Sequence, residues 1–127
     1  MKHLLLSATA LLASAVMAFA DPVEGTWKTE VDDGHYAHIQ MRMCKTTVCG
    51  VIKEAFDANG PVDSKNIGKL LVWEMEAQGD GTYKNGKIWQ PSKDKIYSSK
   101  MILDGSQLFV SGCVGPICKK QTWTRVN

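Results

Sequence analysis

Apolar and polar residues alternate in short runs along most of this chain, and clusters of turn-forming residues separate the runs. From residue 36 to residue 43 the two kinds alternate, which is the period of a β-strand with one buried and one solvated face. Runs rich in Val, Ile, Thr, Tyr and Trp recur up to the C-terminus. The pattern predicts strands over residues 26–31, 35–43, 50–56, 70–78, 82–84, 87–90, 95–103, 107–113 and 119–126.

Tight turns join most of the predicted strands. Asp33-Gly34 and Asn85-Gly86 have the composition of two-residue hairpin loops, and Asn85-Gly86 is the strongest such signal in the chain. The sequence therefore predicts an all-β fold, a small antiparallel up-and-down barrel of about eight or nine strands, because a closed sheet leaves no exposed edge. A β-sandwich is the alternative, and it would require longer crossover connections.

One connection is too long for a hairpin. Residues 57–69 (DANGPVDSKNIGK) are mostly polar and show no period. Loops of this length within compact domains are functional lids or mobile segments, and both interpretations stay open for residues 57–69.

The N-terminus has the layout of a secretory signal peptide. Lys2 precedes an apolar run over residues 4–19, and a small-x-small motif ends at Ala20. We predict cleavage after Ala20, export, and a single mature domain over residues 21–127 without a membrane span. A retained membrane anchor is the weaker alternative, because polar residues interrupt the apolar run and no stop-transfer flank follows it. In a Gram-negative source the exported protein would be periplasmic.

Four cysteines lie in the mature part of the chain, in two pairs of equal spacing: Cys44 with Cys49, and Cys113 with Cys118. An even number of cysteines in an exported protein predicts disulfides. Three connectivities are possible, and the local pairs are favoured because each brackets a turn-length segment that brings its ends into disulfide range. A four-cysteine zinc site is the competing interpretation, but its usual C-x2-C spacing is shorter.

Charge and motif patterns argue against several functional classes. The formal net charge is only +2 at pH 7, so nothing indicates a nucleic-acid partner or a basic membrane-binding helix. His35 and His38 are predicted on opposite faces of one strand, where they do not form a metal pair. Glu74 and Glu76 share a face that is predicted to be solvated. Because no nucleophile motif or phosphate-binding loop is present either, we predict no catalytic residue, metal site or cofactor.

The inward faces of the predicted strands are rich in Met and aromatic residues, which suit a small apolar or amphipathic ligand. The candidate ligand-binding residues are Met41, Trp73, Met75, Tyr97 and Met101. A barrel of about eight strands can instead be filled by its own side chains. In that case the protein would be a structural or interaction module that docks on another envelope protein.

Motifs at the two ends of the mature chain point to a barrel family. GTW (25–27) opens the first strand and WTR (123–125) ends the last, as in lipocalin-like barrels, where an Arg packs on a Trp and closes one end. The chain also resembles the DUF2147 family of small exported bacterial proteins. The matching segments are GTW at 25–27, CGVI at 49–52, GKIWQP at 86–91, KIYSSKM at 95–101, GC at 112–113 and QTWTR at 121–125. The resemblance implies a lipocalin-like fold closed by Trp27 and Arg125, and it supplies no catalytic residues. Asp94 stands where the family usually has Gly, which leaves the conformation of that loop open.

Overall fold

The computed structural model describes residues 21–127, and the predicted signal peptide at residues 1–20 lies outside the described residues. The described chain forms antiparallel strands and no helix, which confirms the predicted fold class. The strands are β1 (Gly25–Lys28), β2 (Tyr36–Cys44), β3 (Thr47–Asp57), β4 (Gly60–Val62), β5 (Leu70–Ala77), β6 (Thr82–Gln90), β7 (Lys95–Asp104), β8 (Gln107–Val114) and β9 (Ile117–Arg125).

Eight of these strands form a closed barrel. β1 pairs with β2 on one side and with β9 on the other, so the sheet returns to its start. The other neighbours follow chain order, except that β3 pairs with β5 and the short β4 extends the sheet beside the end of β3. Closure satisfies the backbone groups that the edges of an open sheet would expose.

The up-and-down order gives the barrel two distinct ends. The lower end carries the turns after β2, β5 and β7, together with residues 21–24 and 126–127. The upper end carries the connections after β1, β3, β4, β6 and β8. The first predicted strand, residues 26–31, is shorter than expected because β1 ends at Lys28 and the chain then crosses the upper end to β2.

Side chains fill the barrel interior. The largest fully buried residues are Trp27, Trp123, Tyr83, Ile39, Met41, Met75, Met101 and Leu108. The surroundings of Gly50 and Gly86 show how closely the buried side chains pack. A Cβ atom at Gly50 would lie 2.5 Å from Met41 Sδ, and one at Gly86 would overlap Met75 Sδ. The methionine sulfurs therefore occupy the space that larger residues at these positions would need.

Asn85-Gly86 does not form the predicted hairpin turn. β6 continues through both residues, and the register of β6 against β7 shifts between Tyr83 and Gly86. Asn85 has a φ of 62°, the left-handed conformation that hairpin turns require. In this strand Asn85 lies in a β-bulge, which is another structure that accommodates a residue in the left-handed conformation. The prediction was wrong because the dipeptide specifies a local dihedral and not the path of the neighbouring strand.

β5 also departs from strict alternation. Its register against β3 shifts twice, and Glu74 has a φ of 56°. Val72 and Met75 are consequently both buried, whereas Trp73 between them is half-buried. An added residue in a strand reverses the alternation beyond it. Regular alternation in this strand predicts one shared face for Leu71, Trp73, Met75 and Ala77. That prediction is wrong, because the irregular pairing separates Trp73 from Met75.

Residues 57–69 contain a strand that the sequence did not indicate. β4 turns back on β3, with Phe56 opposite Pro61. The segment then returns to β3, where the Gly68 amide donates to the Ile52 carbonyl at 2.8 Å. The connection is thus an added strand and an anchored turn. Pro61 fits this position because an edge strand tolerates a residue without an amide hydrogen.

Both predicted disulfides are present as local pairs. The Cα atoms of Cys44 and Cys49 are 5.8 Å apart, and those of Cys113 and Cys118 are 4.0 Å apart. Each bond joins the two strands of one hairpin, β2 with β3 and β8 with β9.

Candidate functional site

Three of the five predicted ligand-binding residues lie in the packed core. Met41, Met75 and Met101 are at most 1% exposed, and they belong to one cluster with the two buried tryptophans. Strict alternation over residues 36–43 predicts that Met43 shares the inward face of Met41, but Met43 is 40% exposed near the end of β2. The three buried methionines are therefore part of the packed core of the barrel.

The other two predicted ligand-binding residues lie apart from this group. Tyr97 is half-buried against the core near the upper end, and its hydroxyl donates to Gln90 Oε1 at 3.0 Å. Trp73 lies on the outer face, opposite Lys87 of β6. The structure thus does not bring the five residues into a single site.

The lower end of the barrel is closed by Arg125 and the segment before β1. The Arg125 guanidinium carbon lies 4.3 Å from the ring centroid of Trp27. Its Nη1 donates to the Glu24 carbonyl at 3.0 Å, and its Nη2 donates to the Pro22 carbonyl at 2.6 Å. Trp27 Nε1 donates to the Val23 carbonyl at 2.8 Å. These contacts hold residues 21–24 across the lower end.

A second contact ties this segment to β6. The Tyr83 hydroxyl donates to Asp21 Oδ1, and Asp21 Oδ1 also accepts the Val23 amide at 2.9 Å. Burial of the phenol, together with the adjacent carboxylate, raises the pKa of Tyr83 well above its ordinary value of 10.0. Tyr83 therefore remains a neutral donor throughout the physiological range.

Hydrogen bonds also connect the elements of the upper end. Asp32, in the connection after β1, accepts Ser92 Oγ at 2.6 Å and Gln90 Nε2 at 3.2 Å. The hydrogen bond from Ser92 lowers the pKa of Asp32, and the positive charges of Lys119 and Lys93 act in the same direction. The connection after β1 is thereby tied to the turn after β6.

An apolar cleft, which we call the tryptophan cleft, lies on the outer face of β5, β6 and β7. It has a volume of about 280 Å³ and is lined by Leu70, Trp73, Trp89 and Ile96, with Lys69 at its edge. The Lys69 ammonium lies 5.6 Å from the ring centroid of Trp89. Leu70 is 43% exposed and Ile96 is 62% exposed, so the cleft opens to solvent.

The irregular strands explain why these side chains meet outside the barrel. Leu70 pairs with Val51 and Trp73 pairs with Lys87, although two buried residues separate them in the chain. Trp89 lies opposite Ile96 across the β6–β7 pair. Its Nε1 donates to Asp94 Oδ1 at 2.9 Å, which fixes the indole.

The β6–β7 turn that supplies this contact is unusual at Asp94. This residue has a φ of 49°, in the left-handed region that glycine prefers. Asp is one of the residues that tolerates this conformation. Asp94 therefore keeps this backbone conformation and also accepts the hydrogen bond from Trp89, which a glycine at this position could not do.

One feature of the sequence indicates the cleft, although it does not fit strict alternation of apolar and polar residues. Residues 70–73 are four consecutive apolar residues, more than a strand with one buried face accommodates. Such a run requires either a second buried face or an apolar outer surface, and here the second applies. Leu70, Trp89 and Ile96 are not among the site residues that the sequence predicts.

A second depression, which we call the lysine groove, adjoins the cleft on the outer face of β6 and β7. It has a volume of about 510 Å³ and is lined by Lys84, Asn85, Lys87, Ser98, Lys100 and Cys113, among others. Lys87 of the groove lies opposite Trp73 of the cleft in the β5–β6 register.

The remaining polar candidates do not converge. His35 precedes β2 and forms an isolated bridge with Asp32, so it is not on the strand that carries His38. The His38 ring lies 4.5 Å from that of Phe56 in an aromatic cluster on the outer face. Within residues 21–127, no group of three or more His, Cys, Asp or Glu side chains could hold a metal ion. The same part of the chain contains no helix long and apolar enough to cross a membrane.

Comparison with known proteins identifies the fold and the family. The structure is similar to protein HP1028 from the human pathogen Helicobacter pylori, which belongs to the lipocalin family, with a TM-score of 0.65 over 82% of each chain. The sequence identity is 15%, so the likeness concerns the fold, and this barrel is lipocalin-like. No curated protein matches the sequence. The family model for an uncharacterized protein conserved in bacteria, DUF2147, matches residues 25–125, and the chain therefore belongs to the DUF2147 family.

Proposed function

We propose that this protein is an exported binding protein that takes a small apolar or amphipathic ligand in the tryptophan cleft. The observation that carries the proposal is the pair of half-buried indoles, Trp73 and Trp89, set beside the exposed side chains of Leu70 and Ile96. Concave surfaces lined by aromatic and aliphatic side chains are typical small-molecule sites. A lipocalin-like fold is compatible with that role.

The packed interior directs the proposal to the outer face. Two large indoles and three methionines occupy the core, and the methionine sulfurs reach the backbone at Gly50 and Gly86. A ligand inside the barrel would have to displace these side chains, at a cost that close-packed cores impose on any added volume. A ligand in the tryptophan cleft displaces only water.

The size of the cleft limits the ligand to a small apolar group. Its 280 Å³ lies at the lower end of the range of ligand sites, roughly 300–1,000 Å³. One alkyl chain or one ring would lie against the two indoles, and the rest of the molecule would remain in contact with solvent. A ligand with one apolar and one polar part fits this arrangement.

Export is part of the proposal, and two observations support it. The two disulfides are of the kind that persists in oxidising compartments, and the family is bacterial. We place the mature protein in the periplasm of a Gram-negative cell. Binding of this kind requires no cofactor and no catalytic group.

Isothermal titration calorimetry with dodecanol, an uncharged amphiphile, tests the proposed site. We expect Trp73→Ala and Trp89→Ala to weaken binding by about tenfold, because each removes one aromatic wall of the cleft. Phe109→Ala is the matched control, since Phe109 is a half-buried aromatic on the neighbouring β8. Equal affinity in all three variants, with circular dichroism showing intact folds, would contradict the proposal.

A second candidate function, docking of an envelope protein, is favoured by the upper end of the barrel. Several large apolar side chains are exposed around it: Val31, Ile67, Ile96, Val114 and Ile117. Clustered exposed apolar side chains often mark interaction surfaces. A photo-crosslinker at Ile117, compared with one at the exposed Ile102 of β7, would test it in the periplasm. One defined adduct formed only from position 117 supports docking, whereas the same adducts from both positions count against it.

A further inference from the structure

The lysine groove concentrates positive charge on one side of the barrel. Lys84, Lys87 and Lys100 line it, together with the polar side chains of Asn85 and Ser98, and none of the lining residues within 21–127 is a carboxylate. With a net charge of only +2 for the chain, this concentration is a local feature. Ammonium groups around a concave surface raise the local concentration of anions.

The strand register explains the shape of the groove. Lys87 lies opposite Ser98, and Lys100 lies opposite Ser111. Ser98, which lines the groove, is much smaller than Lys87 and Lys100, its neighbours on the same face, so the surface is recessed at this position. Lys100 is exposed, and Lys87 is half-buried.

The bulge in β6 completes one wall. Gly86 faces the core, because a Cβ atom there would meet Met75 Sδ. Lys84 and Asn85 before it are both exposed, and Asn85 Nδ2 donates to Glu76 Oε2. Glu76 lies opposite Lys84 across the β5–β6 pair. The Glu76 carboxylate is thus hydrogen-bonded to Asn85 at the edge of the groove.

The groove lies directly beside the tryptophan cleft on the outer face. Lys87 is opposite Trp73 in the register of β5 and β6, and Trp89 lies two positions further along β6 on the same face. Moving along the outer face from the upper end, the surface therefore changes from apolar to cationic within a few residues. This is the pattern that complements a molecule with an apolar part and an anionic head.

We propose that the two depressions form one site for an amphiphile that carries a phosphoryl group, with the apolar part in the tryptophan cleft and the phosphate in the lysine groove. The inference rests on the proposed function and specifies the ligand class. Three ammonium groups suit a phosphate monoester, which carries a charge of about −1.5 to −2 and three acceptor oxygens near neutral pH. A monocarboxylate would neutralise about one of the three lysines.

Calorimetric titrations of the mature protein at low ionic strength test the inference with three probes: dodecyl phosphate, dodecanol and inorganic phosphate. We expect dodecyl phosphate to bind about tenfold more tightly than dodecanol or inorganic phosphate, because it alone occupies both depressions. The advantage over dodecanol should shrink as salt is added, since exposed charges are screened.

A matched pair of charge variants separates a defined site from general attraction. Lys84→Gln/Lys100→Gln removes two exposed lysines from the groove and should abolish most of the preference for dodecyl phosphate over dodecanol. Lys28→Gln/Lys45→Gln removes the same charge from β1 and the turn after β2, on the other side of the barrel, and should preserve the preference. Equal losses in the two double variants would overturn the inference.

The remaining outcomes distinguish failure of the inference from failure of the proposed function. If dodecanol binds as tightly as dodecyl phosphate and Trp73→Ala weakens both, the inference is overturned and the proposed function stands. If inorganic phosphate binds as tightly as dodecyl phosphate and Trp73→Ala has no effect, both are overturned. Sedimentation with phosphatidylglycerol vesicles, without binding of monomeric dodecyl phosphate, would replace the amphiphile site with a membrane-binding surface.

Discussion

Arg125 covers one face of Trp27, and its two terminal nitrogens hold the backbone of the segment that precedes β1. The guanidinium carbon is 4.3 Å from the ring centroid, while Nη1 and Nη2 donate to the carbonyls of Glu24 and Pro22. One side chain from the last strand therefore fixes the first strand and the segment before it. This geometry makes the lower end of the barrel depend on Arg125 for more than packing.

Replacing Arg125 should destabilise the protein. Arg125→Ala removes a cation–π contact of about 0.5–2 kcal/mol and two hydrogen bonds of about 0.5–1.5 kcal/mol each. Because Arg125 is partly exposed, we expect a net loss of about 2 kcal/mol in the free energy of unfolding, and a clearly lower Tm by circular dichroism. Arg125→Lys should restore only part of the loss, since an ammonium lacks the planar fork. An unchanged Tm for Arg125→Ala would contradict this account.

Tyr83 should make stability depend on pH in the alkaline range. The folded protein binds the phenolic proton more tightly than the unfolded chain does, because the pKa of Tyr83 is raised above 10.0 by burial and by Asp21. Its contribution is therefore complete below pH 10 and is lost as the pH rises toward the raised pKa.

The measurement is urea unfolding at several pH values above 9. We expect Tyr83→Phe to remove part of the decline in the free energy of unfolding as the pH rises. Identical pH profiles for wild type and Tyr83→Phe would show that this phenol does not titrate differently in the folded state.

Gly86→Ala should be strongly destabilising even though alanine is a modest change. The new Cβ atom would overlap Met75 Sδ in the core, and overpacking of this kind costs about 1–3 kcal/mol. Gly112→Ala is the control, since a Cβ atom there would lie at an ordinary 3.4 Å from Ile88 Cγ2. Chemical denaturation of both variants measures the difference in their free energies of unfolding. In a double-mutant cycle, Gly86→Ala should cost less in the Met75→Ala background than in the wild type, because the clashing sulfur is absent. An equal cost in both backgrounds would argue against the steric explanation.

The disulfide at the tip of the β8–β9 hairpin should add stability without being required for the fold. Cys113 and Cys118 lie directly opposite one another in register, and closing so short a loop contributes about 2 kcal/mol in the chain-entropy description. Cys113→Ser/Cys118→Ser should therefore lower the Tm while the far-ultraviolet circular dichroism spectrum keeps its β character. A Tm equal to that of the wild type would show that the Cys113–Cys118 disulfide does not stabilise the fold.

The features that the sequence predicted correctly depend on local patterns. Alternation over residues 36–43 corresponds to β2. The predicted Asp33-Gly34 turn is present and is closed by a bridge between Asp32 and His35. The cysteine spacing corresponds to disulfides within single hairpins. In each case the preference acts within a few residues, so no knowledge of the partner strand was needed.

Three of the incorrect predictions involve residues whose position depends on a neighbouring strand. Asn85 has the left-handed conformation that its identity favours, but the pairing of β6 with β7 decides that this is a bulge and not a turn. Trp73 was expected beside Met75 on the inner face, and the irregular pairing of β5 puts it outside. The strand at residues 60–62 exists because β3 offers it an edge.

The sequence by itself determined the class of fold, the number of strands to within one, the disulfide pairs and the family, because alternation, turn chemistry and motif spacing are written into consecutive residues. Only the tertiary structure decided that the interior is filled and that a tryptophan cleft and a lysine groove adjoin on the outer face. The physical reason is that one extra residue in a strand reverses which side chains face the core. That residue is placed by the hydrogen-bond register between strands, which no short segment of the chain specifies.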